Sequence, residues 1–248
     1  LVFAGHLDLG VQRWSLEHGM MVRRTGSGPS IVWMHGLGES SVSFEPVVAA
    51  MPGFAHVLVD LPGYGRSPWP AQPMGLDELA EHLARWVDPD AVVIGHSMGG
   101  VLAGLVAERT RVRRVVDVEG NVTLGDCHIS GIAAAIDDPI RALEAVIEQL
   151  TAVPRAYEAA LAFAMPAMFH RHAKDLVAVS ASDTLAARVA SLGALFVAGV
   201  PDGICDASKH ELDRAGARWI GIERAGHWVY LDQTRRFVDE VTRFITEP

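Results

Sequence analysis

Ser97 stands in Gly95-His96-Ser97-Met98-Gly99, which follows the apolar run Ala91 to Ile94 and opens a helical stretch rich in small residues. A serine turned tightly between a strand and a helix leaves little room for side chains two positions away on either side, and Gly95 and Gly99 supply that room. The chemistry such a turn serves is nucleophilic attack. The turn pushes the Ser97 hydroxyl out of the sheet edge and aims the backbone N–H of Met98 at the place where an oxyanion forms. Because a serine hydroxyl is a weak nucleophile near neutral pH, it needs a histidine base. Behind that base a carboxylate must fix the imidazole tautomer and stabilise the imidazolium.

His227, in Ala225-Gly226-His227-Trp228, is the expected base. Of the 11 histidines it alone combines a place downstream of Ser97, a preceding strand and a neighbouring glycine that lets the loop turn inward. Asp202, in Gly199-Val200-Pro201-Asp202, is the expected carboxylate: it follows the strand Leu195 to Val200 to the same sheet edge, and the chain order Ser, Asp, His is that of an elbow hydrolase. Glu119 competes with it, at the end of the strand that follows the Ser97 helix and nearer the serine. Asp206, farther into the loop, is a third choice, and a turn or helix cap is the plain alternative role for Asp202. A second oxyanion donor is expected from His35-Gly36-Leu37-Gly38-Glu39-Ser40, where flanking glycines let the Leu37 N–H turn into the site beside that of Met98. His35 and His96 border these two turns and read as loop-packing residues.

The elements that must position these groups alternate between strand and helix. Gln12 to His18 and Met20 to Arg24 flank Gly19 as an antiparallel hairpin, and buried strands follow at Ile31 to Met34 and His56 to Asp60, with a helix over Phe44 to Met51 between them. Apolar residues at Leu76, Leu79, Ala80, Leu83 and Val87 have helical spacing. Gly99 to Arg109 is the helix after the serine, and Val112 to Val118, Leu195 to Val200 and Arg218 to Glu223 are further strands. Asp232 to Thr246 closes the chain as an amphipathic helix. This pattern predicts an α/β fold, a mostly parallel sheet with helices on both faces and active groups at the carboxyl ends of its strands. Residues 121–172, Ala-rich and broken at Pro139, Pro154 and Pro166, predict several short helices forming a lid. The core is then 1–120 with 173–248. In the insertion, Met165, Met168 and Phe169 suit an acyl pocket or plain packing equally. His170 and His172, two apart on a helix, point their rings away from each other, so no metal site is expected.

Composition narrows the partners. The chain has 248 residues, half of them hydrophobic, and 30 acidic against 21 basic side chains give a net charge of -9. With no long basic cluster, nucleic acid and anionic membrane are poor partners. No apolar run approaches the length of a membrane span. Cys127 and Cys205 have no metal spacing, and a reduced, cytoplasmic setting fits them. The apolar start, Leu1 to Gly5, is too short for a secretory leader and soon meets Asp8. The chain does not open on Met, which leaves room for residues upstream.

Five segments in order, Met34 to Gly38, Asp60-Leu61-Pro62-Gly63-Tyr64-Gly65-Arg66-Ser67, Gly95 to Gly100, Gly199 to Asp202 and Ala225 to His227, resemble the motifs of the α/β-hydrolase family. The resemblance runs across essentially the whole chain. It implies an eight-stranded sheet, Ser97 as nucleophile, a lid between the sixth and seventh strands, and a structural role near the site for Asp60 to Ser67. Some members of the family carry the acid where Glu119 falls. Serine at the elbow argues against the dehalogenase and epoxide-hydrolase branches. The expected activity is cleavage of a small-molecule carboxylic ester through an acyl-enzyme, without a cofactor. Thioesters, lactones and carbon-carbon bonds are alternative targets of the same residues, and a hydrolase-fold ligand receptor is the alternative from another class. Oligomeric state has no signature in the sequence.

Overall fold

Along the third strand Ile31 and Trp33 pack into one buried cluster and Val32 and Met34 into another, the period-two alternation of a strand covered on both faces. The computed structural model describes residues 13–150 and 153–247. Gln12, at the head of the expected hairpin, and the apolar start Leu1 to Gly5 lie outside those residues. Eight strands are present: β1 (Arg13–Glu17), β2 (Met20–Gly26), β3 (Ser30–Met34), β4 (Ala55–Asp60), β5 (Val92–His96), β6 (Arg114–Val118), β7 (Leu195–Asp202) and β8 (Arg218–Gly226). They form one sheet in the order β1-β2-β4-β3-β5-β6-β7-β8. β2 runs antiparallel to β1 and β4, and every pairing from β4 across to β8 is parallel. The carboxyl ends of six parallel strands therefore share one edge, which is where such sheets carry their sites.

Helices α1 (Glu45–Ala50), α10 (Val229–Asp232) and α11 (Thr234–Thr246) cover one face. In α11, Phe237, Val241, Phe244 and Ile245 recur at helical spacing and are buried. Truncating Phe237 to Ala would cost on the order of 3–5 kcal/mol. The other face carries α2 (Leu76–Ala84), α3 (Met98–Ala107), α8 (Leu185–Ser191) and α9 (Asp206–Ala215). The sequence reading does not anticipate α8 and α9, which are short and lie beside strong strand signals. Between β6 and β7 the chain also forms α4 (His128–Ala134), α5 (Pro139–Gln149), α6 (Arg155–Leu161) and α7 (Pro166–Ser180). Asp138 caps α5 by accepting from the N–H groups of Ile140 and Arg141, with Pro139 at the first helical position. Helix α7 runs on through residue 172, so the expected boundary at that residue falls inside a helix.

α7 is fastened to the loops beyond β4. Met165 N donates to Gly63 O at 2.7 Å, Leu76 N to Asp175 Oδ2 at 2.9 Å, and the Tyr64 hydroxyl meets His172 Nδ1 at 2.8 Å. Met168 and Phe169 are fully buried and press on Gly63 and Gly38, so they pack the insertion onto the core rather than line the cavity described below.

Candidate active site

Ser97 lies between β5 and α3 with φ 54° and ψ -120°, a conformation side chains other than glycine rarely adopt. Its N–H donates to Val118 O at 2.8 Å, and its own carbonyl accepts from Gly100 N at 2.8 Å. A Cβ on Gly95 would run into the Gly99 carbonyl, and one on Gly99 into the Met34 carbonyl. The two glycines are thus required by the turn itself. The loop after β3 presses from the other side: a Cβ on Gly36 would come to 3.1 Å from Ser97 Cβ.

Ser97, His227, Leu37, Glu119 and Asp202 all line one cavity of about 330 Å³ at the carboxyl edge of the sheet. Its remaining wall includes Ile129, Leu150, Val153 and Tyr157 from the insertion. Met98 is buried, and its N–H opens α3 directly after Ser97. Neither that N–H nor the N–H of Leu37 is taken by another group among the described residues. Ser97 and His227 share the cavity without a hydrogen bond between them.

The structure brings Glu119, not Asp202, to His227. Glu119 Oε2 lies 3.3 Å from His227 Nδ1. Its Oε1 accepts from Gly199 N at 2.6 Å and Ile204 N at 3.4 Å. Three things aim it inward: φ of 55° at Glu119 itself, a backbone bond from its N–H to Val197 O, and Gly203, where any Cβ would collide with Oε1. Asp202 departs from the expected role because β7 continues past a register shift between Val200 and Pro201 and carries it to the exposed rim. Its side chain makes no hydrogen bond or ion pair among the described residues. Asp206 is the first residue of α9 and pairs with Lys209 at 3.0 Å.

Beneath these groups is a charge network that no sequence spacing announces. Glu39, in the loop after β3, is buried and accepts from Gly36 N at 2.9 Å and from Trp228 Nε1 at 2.7 Å. His96 Nδ1 meets Glu39 Oε1 at 3.0 Å, and His96 Nε2 lies 2.9 Å from the His227 carbonyl. Both ring nitrogens of His96 face acceptors, an arrangement that favours the imidazolium. Burial would lower its pKa, but the Glu39 carboxylate outweighs that and raises it. Burial would likewise raise the Glu39 carboxyl, and His96 overcomes this to hold it at about 2. His96 is thus more than the loop-packing residue that its place beside the turn predicts. Ion pairing ties the serine turn to the Leu37 loop and, through its backbone bond, to His227. His35 is the packing residue expected: Leu61 N donates to its Nε2 at 3.0 Å, its Nδ1 faces Gly36 O at 2.9 Å, and burial pushes its pKa down.

Asp117, two residues before Glu119 and within β6, is also buried. Its pKa is pushed up to about 7, first by burial and then, against the bond it accepts from Gly120 N, by the nearby Glu119 charge. The fourth carboxylate at the cavity, Asp126, is spent on structure: it accepts from Val122 N at 2.9 Å, Thr123 N at 3.0 Å, Cys205 N at 3.0 Å and the Ser208 hydroxyl at 2.6 Å.

Comparisons with known proteins agree with this architecture. The "Magnesium-chelatase 30 kDa subunit" of Rhodobacter capsulatus is 38% identical over 118 residues, 44% of this chain and 39% of that protein. A "Pimeloyl-[acyl-carrier protein] methyl ester esterase" of Pseudoalteromonas atlantica is 35% identical over 101 residues, 39% of each chain. The matches thus span about two fifths of the length of these curated relatives. Among solved structures, the enol-lactonase from Burkholderia xenovorans LB400 superposes with a TM-score of 0.74 at 20% identity, over 95% of this chain and 100% of that one, a likeness of fold. The model of the alpha/beta hydrolase family matches residues 31–240, and with the strand order and the serine turn already described, this chain belongs to the alpha/beta hydrolase family.

Proposed function

We propose that this chain hydrolyses a small-molecule carboxylic ester through an acyl-enzyme, with Ser97 as nucleophile, His227 as base and Glu119, in place of Asp202, as the carboxylate behind the base. The observation that carries the reading is the contact of Glu119 Oε2 with His227 Nδ1 at 3.3 Å in the cavity that Ser97 also lines. Ser97 Oγ attacks the ester carbonyl while His227 Nε2 takes its proton, and Glu119 accepts the hydrogen bond from Nδ1–H. The N–H groups of Leu37 and Met98 hold the oxyanion, each contributing roughly 3 kcal/mol to transition-state stabilisation. The intermediate collapses, the ester C–O bond breaks, and the leaving alcohol takes the proton back from His227. Water, deprotonated by the same imidazole, then attacks the acyl-enzyme and releases the carboxylic acid with Ser97 restored.

The scheme needs no cofactor. The methyl ester named for the Pseudoalteromonas relative supports an ester as the bond cleaved. The helices within residues 121–172 act as the lid that shapes the acyl site. A net charge of -9 suits a small-molecule substrate better than nucleic acid or an anionic membrane. Two free cysteines suit a reducing cytoplasm.

Multiple-turnover hydrolysis of p-nitrophenyl butyrate, with fluorophosphonate labelling of the same samples, tests the reading. Wild type should turn over and label at Ser97, and Ser97→Ala should lose both. Wild-type turnover surviving in Ser97→Ala sinks it, and labelling without turnover points to a ligand receptor on the hydrolase fold.

A further inference from the structure

Tyr157 comes from α6 in the insertion, is 3% exposed, and lines the cavity that holds Ser97 and His227. Its hydroxyl has no hydrogen-bond partner among the described residues. Among the described residues it is the only buried, unpartnered side-chain oxygen or nitrogen whose residue lines that cavity. The ring packs against Trp228. It lies 5.3 Å from the Trp228 ring at 55°, and Trp228 is itself fixed by its bond to Glu39. The hydroxyl lies over the loop after β3, 3.3 Å from where a Cβ on Gly38 would stand, and Gly38 follows Leu37, the proposed oxyanion donor.

A buried hydroxyl without a partner destabilises the fold, because it gives up its bonds to water and recovers none. Such a group persists where a ligand supplies the missing partner, and local cost at an active site is the expected exception to a fully satisfied interior. Burial pushes the phenol's pKa far up, so it stays a neutral O–H donor wherever the enzyme works. A donor fixed before the reaction stabilises growing negative charge without having to reorganise.

We propose that the Tyr157 hydroxyl donates a hydrogen bond to the ester oxygen that becomes the oxyanion, so that the insertion supplies a third donor beside the Leu37 and Met98 N–H groups. The inference rests on the serine-hydrolase reading above. It makes Tyr157 a catalytic residue that reaches the reaction centre from outside the sheet.

Tyr157→Phe keeps the ring and its packing and removes only the donor. With p-nitrophenyl butyrate, kcat should fall about tenfold or more while KM changes less than threefold. The inhibition constant of a butylboronic acid, whose tetrahedral adduct on Ser97 carries the same oxyanion, should rise by a similar factor. Tm should be unchanged or higher, since a buried unpaired hydroxyl has gone. The inference is overturned by a kcat within twofold of wild type, by a loss confined to KM, or by a kcat loss accompanied by a Tm several degrees lower, which would make the hydroxyl structural. If wild type neither turns over nor labels at Ser97, both readings fall together. If wild type turns over and Tyr157→Phe equals it, this one falls alone.

Discussion

Glu39 and Glu119, on the floor of the cavity, are each 2% exposed and each gripped by donors from separate segments of the chain, whereas Asp202, at the rim, faces solvent with no partner among the described residues. The three carboxylates line the same cavity and carry the same charge. What differs is whether the backbone turns them in. Glu119 does so at a left-handed φ of 55°, a conformation that costs a residue with a side chain roughly 1–3 kcal/mol and persists only when its surroundings over-determine it. Bonds from Gly199, Ile204 and His227 do that. Nearness to the histidine along the sheet edge is therefore a weaker guide than the number of donors that converge on a carboxylate.

The sharpest way to break this comparison is Glu119→Gln. Removing the negative charge behind His227 should lower kcat/KM about 10³-fold in a p-nitrophenyl ester assay, with the folded state retained. A loss below tenfold would return the role to another carboxylate. Glu39→Gln should come next, with kcat/KM down about tenfold and stability down by about 3 kcal/mol, because His96 is left as a buried charge without its counter-ion. Differential scanning calorimetry beside the kinetics checks it, and an unchanged Tm would show that the ion pair does not support the floor.

Acid titration sharpens the same contrast. A carboxyl held at about 2 in the folded chain, against 4.5 ordinarily, stabilises the fold above pH 4.5 and loses that contribution as pH falls from 4.5 toward 2. The raised pKa of His96 is the other side of the same contact: it stabilises fully below 6.5 and fades as pH rises through the raised value. Urea denaturation between pH 6 and pH 3 should show wild type losing stability more steeply than Glu39→Gln in the acid window. Parallel slopes would remove Glu39 from the account. The smallest effect belongs to the rim: Asp202→Asn should leave kcat/KM within about threefold and Tm within about a degree, as surface substitutions usually do.

The parts of this molecule legible in its sequence are those that local sterics or periodicity dictate. Ser97 could be singled out because its turn forbids a Cβ at Gly95 and Gly99. His227 stood out because it follows a strand and a glycine, and the sheet because apolar runs alternate with helical spacing. Choosing between Glu119 and Asp202 was not a local matter, since it depended on a register shift in β7 and a backbone angle at the end of β6. Glu39 and His96 meet across 57 positions, and nothing in either neighbourhood marks the other as its partner. Tyr157 sits in an insertion whose packing, not its pattern, brings its hydroxyl close to Gly38. Long-range pairing of polar groups is the layer that spacing along a chain does not record.

Ser97 itself carries a wider consequence. Its backbone holds an angle that glycine would occupy at ease, so any side chain at this turn costs stability that glycine would not. Serine at φ 54° is strain that the backbone bonds of the turn, to Val118 and from Gly100, hold in place.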